Sequence, residues 1–270
     1  MLRRVLLAIA TVGLLSQTTS MAAEPLGPTA KWVVDYRTDQ CLASREYGTA
    51  RYPVTFAIRP SPNGKTYLLL FAGKGSGPEL AKEEPTTVDF GKGPIKTWLL
   101  EYGSKPPGSD TYQLRISAIE MDQAKTATTI RISRKGAEDI ELQLQSISAL
   151  MKTLEDCTEN LQRYWNMGGE KDGRIATPSK GDVRSVFSDE DYPEEAILRS
   201  QEGQAQFLLL IDETGKVAGC DVIVASGVPA LDAMGCQVIR SGAKFSPARD
   251  ANGKAVRSTI VTPPVKWSAN

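Results

Sequence analysis

Residues 192–267 constrain the fold more than any other part of the chain, because apolar runs and turn residues alternate closely there. An apolar run at 203–211 is followed by the turn 212–216 and by a second apolar run at 217–227. Two such runs joined by a short turn that contains glycine predict a β-hairpin. The whole pattern predicts, in order, a helix, two strands, a second helix and a final strand.

Single residues mark the ends of these elements. Pro193 suits the first position of a helix, where its missing N–H costs nothing, and Gly215 stands where a hairpin loop needs a positive φ. The second helix is predicted to begin near Pro229, and Gly235 and Gly242 on its apolar side permit a close neighbour. These signals favour helices packed tightly on a sheet.

The predicted final strand contains two adjacent prolines, Pro263 and Pro264. Proline does not donate a hydrogen bond to a ladder, so this strand is predicted to lie at a sheet edge or to bend there. An open edge accepts an extended peptide by strand addition, whereas prolines at an edge also prevent unwanted pairing. The sequence leaves both interpretations open.

The order of these motifs resembles the C-terminal domain of the TonB family. The resemblance covers residues 186–267, under a third of the chain. The residues that carry it are Tyr192-Pro193, Gly203, the turn Asp212 to Gly215, Ser226-Gly227, Leu231-Asp232 and Phe245-Ser246-Pro247-Ala248.

This resemblance implies both a fold and a partner. The implied fold is a βαββαβ-type domain with two helices on a three-stranded antiparallel sheet. Family members bind the TonB box, a short extended segment of TonB-dependent outer-membrane receptors, partly by strand addition. The implied partner is such a receptor or another periplasmic protein, and the implied contact residues are Tyr192, Pro193, Val261 and Val265.

Three departures separate this chain from the well-studied transducers. Those proteins have a Gln-Pro-x-Tyr-Pro segment, whereas Asp189, Glu190 and Asp191 precede Tyr192 and Pro193 here. They also have a long Pro-rich spacer and an uncleaved anchor helix, whose histidine couples to the ExbB–ExbD motor, and this chain contains no histidine. The sequence therefore predicts a binding module without force transmission.

Residues 24–165 are predicted to form a mainly antiparallel β domain that is closed by a C-terminal helix, so the fold class is α+β. Short alternating runs lie between turn residues, and Asn63-Gly64 is typical of a hairpin. Residues 147–165 then repeat apolar positions at three- and four-residue steps, the pattern of one helix face. The predicted strands are 32–37, 52–59, 66–71, 95–102, 111–121, 128–133 and 140–144.

Residues 166–185 are predicted to be a linker to the C-terminal domain at 186–270. They are rich in glycine and polar residues, lack apolar periodicity and offer no means of burying surface. The single proline, Pro178, is not enough for a stiff spacer, so the sequence predicts a short flexible tether.

Four cysteines, Cys41, Cys157, Cys220 and Cys236, favour an oxidising compartment. Three pairings are possible, and we favour Cys41 with Cys157 and Cys220 with Cys236, because each bond then lies within one domain. The cysteines form no CxxC pair, unlike most structural zinc sites. We expect no metal and no cofactor.

The N-terminus is typical of an export signal. Two arginines precede the apolar run 5–15, and Ala22 and Ala23 are small residues suited to cleavage. That run is shorter than the roughly 20 residues that cross a membrane. We expect a signal peptide at 1–23 and a periplasmic protein, with an uncleaved inner-membrane anchor as the alternative.

Composition argues against several other functions. Basic and acidic residues both number 32, so the zero net charge argues against a nucleic-acid partner. The lack of histidine excludes Ser-His-Asp and Cys-His catalysis, no small-molecule substrate is evident, and no enzyme is expected. The acidic run 188–191 is interpreted as a solvated helix entrance, not as a cation site. The alternative function is a structural envelope protein that binds another periplasmic or cell-wall partner.

Overall fold

The computed structural model describes residues 24–75, 81–103 and 108–268. The predicted signal peptide, like the alternative anchor, lies outside these residues. Within the described ranges, no helix combines the length and the apolarity needed to cross a membrane. The described chain consists of mostly antiparallel sheets with few helices, in agreement with the predicted mixed class.

The first half of the described chain builds a nine-stranded antiparallel sheet in the order β1-β2-β3-β4-β7-β6-β5-β8-β9. Its strands are β1 Val33–Tyr36, β2 Cys41–Gly48, β3 Pro53–Pro60, β4 Thr66–Lys74, β5 Lys82–Asp89, β6 Ile95–Gly103, β7 Ser109–Ser117, β8 Thr129–Arg134 and β9 Ile140–Gln143. Helix α1, Ala118–Met121, follows β7, and the long helix α2, Ile147–Tyr164, follows β9. The sequence prediction lacks β2 and β5, and it extends β7 into the residues of α1.

Alternate residues of this sheet form one face of a core, and α2 supplies another. The apolar stripe of α2, which includes Leu150 and Leu154, is buried among the strand side chains. A disulfide between Cys41 and Cys157 joins α2 to β2 across 116 residues of sequence. In the chain-entropy model, a loop of that length contributes about 4–5 kcal/mol of stability.

The first described residues connect the two ends of the sheet. The N–H of Leu26 donates to Glu141 O, and its carbonyl accepts from the N–H of Gln143 in β9. A few residues later, the N–H of Thr29 donates to Glu46 O in β2. This segment therefore bridges β9 and β2 and closes the sheet on itself.

The second half builds a smaller sheet around a central strand. The elements of this half of the chain are α3 Gly169–Asp172, α4 Glu194–Leu198, β10 Gly203–Ile211, β11 Val217–Val224, α5 Pro229–Gly242, β12 Ala248–Arg249, β13 Ala255–Val256, β14 Ser258–Val261 and β15 Val265–Trp267. Strands β12 and β13 form a separate two-stranded sheet. Strand β11 pairs with one side of β10, and β14 and β15 pair with the other. The order differs from the predicted βαββαβ, because α4 precedes β10 and no earlier described strand joins this sheet.

The predicted final strand is present as two pieces. Strand β14 pairs with the end of β10 at Leu208 to Ile211, and β15 pairs with its start at Gly203 to Ala205. Pro263 and Pro264 lie in the break between the two pieces. The bend expected at these prolines is therefore confirmed, since neither residue is required to donate to the ladder.

Two glycines permit the close packing of this unit. Gly215 has a φ of 84°, and a Cβ there would lie 1.8 Å from the carbonyl oxygen of Phe245. A Cβ on Gly235 of α5 would lie 2.4 Å from the ring of the buried Phe207. The roles predicted for both glycines are confirmed. The second disulfide, Cys220 to Cys236, joins β11 to α5, so both favoured pairings are present.

Residues 166–185 lie against the C-terminal sheet, so the prediction that they have no means of burying surface is wrong. Ile175 and Val183 are buried. Lys180 and Ser246 exchange backbone hydrogen bonds of 3.1 and 2.8 Å. Val183 packs in the core of the C-terminal unit, and backbone hydrogen bonds to Ser246 and Arg249 hold the rest of the segment.

The end of α2 contacts the C-terminal sheet directly. Leu161 and Trp165 pack against Leu210 on the face of β10 that points away from α5. The guanidinium of Arg257 lies 4.0 Å from the ring centroid of Tyr164. The N-terminal and C-terminal units are thus in contact through side chains as well as through the connecting chain.

Candidate functional site

The C-terminal sheet has two edges, and the β11 edge is covered by the N-terminal sheet. Arg59 of β3 donates from Nη2 to Oδ1 of Asp221 at 2.8 Å. Arg115 of β7 donates from Nη1 to the carbonyl oxygen of Val222. Arg115 occupies a backbone carbonyl that an added strand would require, and Arg59 binds a side chain of the same strand, so the N-terminal sheet covers this edge.

The opposite edge, formed by β14 and β15, is covered only where it begins. Asn166 donates from Nδ2 to Arg257 O at 2.9 Å, and the hydroxyls of Ser179 and Ser258 lie 2.5 Å apart. In the part of the chain that the structure describes, no hydrogen bond from outside the sheet reaches residues 259–261. The open stretch of this edge therefore begins after Ser258.

Val261 contributes both outward backbone groups and an exposed side chain to this open stretch. The N–H of Thr262 donates to Phe207 O at 2.9 Å, so that amide points to β10. Successive residues of a strand point their amides to opposite sides, so the N–H of Val261 points away from the sheet. Its side chain is 54% exposed. Among the predicted contact residues, Val261 has the geometry that strand addition requires.

Val265 has different surroundings from Val261. Its side chain is only 8% exposed and belongs to the core of the C-terminal unit. It pairs with Ala205 in the β10 ladder. The side chain of Val265 therefore packs in the core and does not face the open edge.

Tyr192 and Pro193 lie next to β15 through an aromatic cluster. The rings of Tyr192 and Phe187 meet the ring of Trp267 edge to face, with centroid distances of 5.6 and 5.4 Å. The hydroxyl of Tyr192 donates to Gln201 O at 2.6 Å, which fixes the ring. Pro193 is the N-cap residue of α4. The structure thus brings the Tyr-Pro segment beside β15, while Val261 lies on β14.

The acidic run before Tyr192 forms a short 3-10 helix, Asp189–Asp191. Asp191 accepts hydrogen bonds from both the N–H and the hydroxyl of Ser188, which begins this turn. Among the described residues, no group of three potential metal ligands is present. This geometry agrees with the interpretation of the run as the entrance to α4.

Sequence reasoning missed the two arginines that cover β11. Arg59 stands between Ile58 and Pro60, and Arg115 stands between Leu114 and Ile116. In β3, a lone arginine at an outward position of a mainly apolar run is a signal that could have indicated a second packed surface. Sequence alone did not identify what that surface touches.

The fold and the edge together define the class of the C-terminal unit: a small α+β domain whose mainly antiparallel sheet leaves one edge open. Residues 189–268 match the family model of the Gram-negative bacterial TonB protein C-terminal domain. The predicted resemblance of this part of the chain is therefore confirmed. A search of curated proteins gave no match.

Proposed function

We propose that this protein is a TonB-like periplasmic binding protein that takes an extended segment of a partner protein at the β14–β15 edge. The open edge at Val261, within the residues that match the TonB family, is the observation that supports this proposal most. The proposed partner is a TonB-dependent outer-membrane receptor, because a short extended receptor segment suits strand addition.

The outward backbone groups of β14 supply the hydrogen bonds in this proposal. By the alternation established at Thr262, the amides of Thr259 and Val261 face the partner. Each backbone hydrogen bond contributes about 0.5–1.5 kcal/mol, so two or three of them give weak binding by themselves. The exposed Val261 side chain and the nearby aromatic cluster provide the additional contact area.

The charge beside the edge selects among partner segments. Asp189, Glu190 and Asp191 place three carboxylates immediately before Tyr192. Charged groups at the rim of an interface act mainly on partner choice and association rate. We therefore propose that the favoured segments carry a basic residue near the end that meets Tyr192.

Binding is proposed here without force transmission. Coupling of the well-studied transducers to their motor depends on a histidine, and this chain contains no histidine. The protein then captures or delivers a receptor segment, and another component supplies any energy.

The experiment that tests the proposal replaces Val261 by proline and, as a matched control, by threonine. Proline removes an N–H that points to solvent, so the β10 ladder is kept and the variant folds. Threonine keeps both the N–H and the branched shape. Titration calorimetry with synthetic receptor-segment peptides should show at least about a tenfold loss for V261P, near 1.4 kcal/mol, and a much smaller change for V261T.

Equal affinity of V261P and the unmodified protein would overturn the strand-addition proposal. Capture from an envelope extract separates the two function classes. Enrichment of TonB-dependent receptors supports the proposed role. Enrichment of sacculus material in their place supports the structural envelope alternative.

A further inference from the structure

A cleft of about 870 Å³ lies between the N-terminal sheet and the C-terminal unit, on the β11 side of the molecule. It is separate from the β14–β15 edge, since β10 and β11 stand between them. Small-molecule sites commonly have volumes of about 300–1,000 Å³ and lie at domain interfaces. The size and the position of this cleft are therefore those of a ligand site.

One wall of the cleft is the outer face of the N-terminal sheet. Leu100 of β6 pairs with Gln113 of β7 on one side and with Glu83 of β5 on the other. Trp98 precedes this row on the same face of β6, and its side chain is 59% exposed. This wall offers an aromatic surface next to a carboxylate.

The other wall consists of β11 and the beginning of α5. Asp221 lies on β11, and Asp232 lies in the first turn of α5, which begins at Pro229. Oδ1 of Asp232 accepts the N–H of Ser226 at 2.9 Å. The Cys220–Cys236 disulfide fixes β11 against α5 and thereby fixes this wall.

The two positive charges at the cleft are already occupied. Arg59 pairs with Oδ1 of Asp221, and Arg115 donates to the carbonyl of Val222. Two arginines face four carboxylates, which gives the lining a net charge of −2 when all are ionised. The four acidic residues are Glu83, Glu195, Asp221 and Asp232.

Two observations show that this negative charge is incompletely compensated within the described part of the chain. Glu83 forms no ion pair with the described residues, and the carboxylate of Asp232 repels it. Asp221 is only 5% exposed, and its Oδ2 accepts no hydrogen bond although the residue lines the cleft. A buried carboxylate oxygen without a donor is costly, and a cation that carries N–H groups would supply the donor.

We propose that the cleft binds an organic cation, an alkylammonium or guanidinium group carried on an apolar body. The cationic head lies among the Glu83, Asp221 and Asp232 carboxylates. The face of Trp98 contacts the cation or the apolar body that follows it, an arrangement that contributes about 0.5–2 kcal/mol. An anionic ligand is disfavoured, since both arginines would have to leave their partners.

The protonation behaviour of the walls agrees with this assignment. Partial burial in the cleft raises the pKa of Glu83, and the nearby carboxylate of Asp232 raises it further. Burial also raises the pKa of Asp232, against the hydrogen bonds from Ser226. A bound cation favours the ionised form of both groups, so it offsets the repulsion between their carboxylates.

Three probes of similar shape test the charge requirement: phenethylamine, phenethyl alcohol and hydrocinnamate, titrated by calorimetry into the full mature protein. The amine should bind at least about tenfold more tightly than the alcohol, and the carboxylate should not bind below about 10 mM. The double variant E83Q/D232N should lose about tenfold in amine affinity. W98A should lose several-fold, while E138Q, an exposed carboxylate away from the cleft, serves as the unchanged control.

Equal binding of the alcohol and the amine would overturn the proposal, as would no binding of any probe below about 10 mM. Unchanged amine affinity in both E83Q/D232N and W98A would place the amine elsewhere and would also overturn it. Each of these substitutions lies at an exposed or half-exposed position and keeps the local acceptor or backbone. V261P should leave amine binding intact, so the proposal for the cleft and the proposal for the peptide edge are tested independently.

Discussion

The two edges of the C-terminal sheet illustrate how one strand edge is blocked and another is left available. At β11, Arg59 and Arg115 reach across from another sheet and occupy polar groups of the edge. At β14, the connecting segment 166–185 covers the beginning of the edge and leaves Val261 exposed. Long cationic side chains thus cover an edge without forming a strand. The residues that cover the two edges lie outside residues 189–268, so the rest of the chain determines which edge is open.

A change in the turn between β10 and β11 should have the largest effect, because β10 pairs with the strands of both edges. Gly215 forms the turn between β10 and β11, with a positive φ and the Phe245 carbonyl in the place of a Cβ. G215A should cost more than about 3 kcal/mol of unfolding free energy. Denaturant unfolding measures it, with G253A as the control at an open turn where φ is also positive. Equal losses in both variants would contradict a role for the Phe245 contact.

Removing the arginine from the closed edge should have the next largest effect. R59M leaves the buried Asp221 carboxylate without its partner, which costs about 3 kcal/mol. The double variant R59M/D221L removes the charge as well, and it should recover most of the loss. Thermal and denaturant unfolding of the single and double variants check this. A double variant as unstable as R59M would show that the pair acts through packing alone.

At the open edge, truncating Val265 should cost far more than truncating Val261. V265A removes buried methyl groups and should cost about 1.5–2.5 kcal/mol. V261A removes exposed ones and should change stability by less than about 0.5 kcal/mol. Denaturant midpoints of the two variants give the comparison. Similar losses would mean that β14 is more deeply covered than its exposure indicates.

The smallest effect concerns pH at the closed side of the sheet. Burial raises the pKa of Asp232 in the folded protein, so the folded state holds this proton more tightly than the unfolded chain does. Stability therefore falls as pH rises from the unfolded pKa through the folded one. D232N remains neutral, so its stability relative to the unmodified protein should rise from about pH 4 to about pH 7. Unfolding at several pH values tests this, and a difference independent of pH would contradict it.

The C-terminal fold was largely predictable because its signals are local. Gly215 permits a positive φ, whereas Pro229 and the Pro263-Pro264 pair restrict the backbone, and turn chemistry reports such local effects directly. The order of those signals also supported the family resemblance over 189–268. The prolines predicted an edge position or a bend for the final strand, whereas the open edge and the separation into β14 and β15 needed the structure.

The N-terminal strands β2 and β5 were missed for physical reasons. In β2 the inward row contains Arg45, whose guanidinium donates to the carbonyls of Ala30 and Gln145 and covers the ring of Trp32. A charged residue in the buried row hides the alternation on which strand prediction depends. In β5 the run begins Lys-Glu-Glu-Pro, and only its pairing with β6 and β8 makes it a strand. Long-range pairing supplies information that the local sequence lacks.

The contacts of the segment 166–185 have a mechanical consequence. A pull on a peptide paired with β14 loads the β10 ladder in shear, and from β10 the load passes to β11. From β11 it reaches the N-terminal sheet through Arg59 and Asp221, in parallel with the covalent chain. Because Lys180 and Ser246 hold that chain against the sheet, no slack is available to absorb extension. Tension applied to a peptide paired with β14 would therefore reach the walls of the cleft.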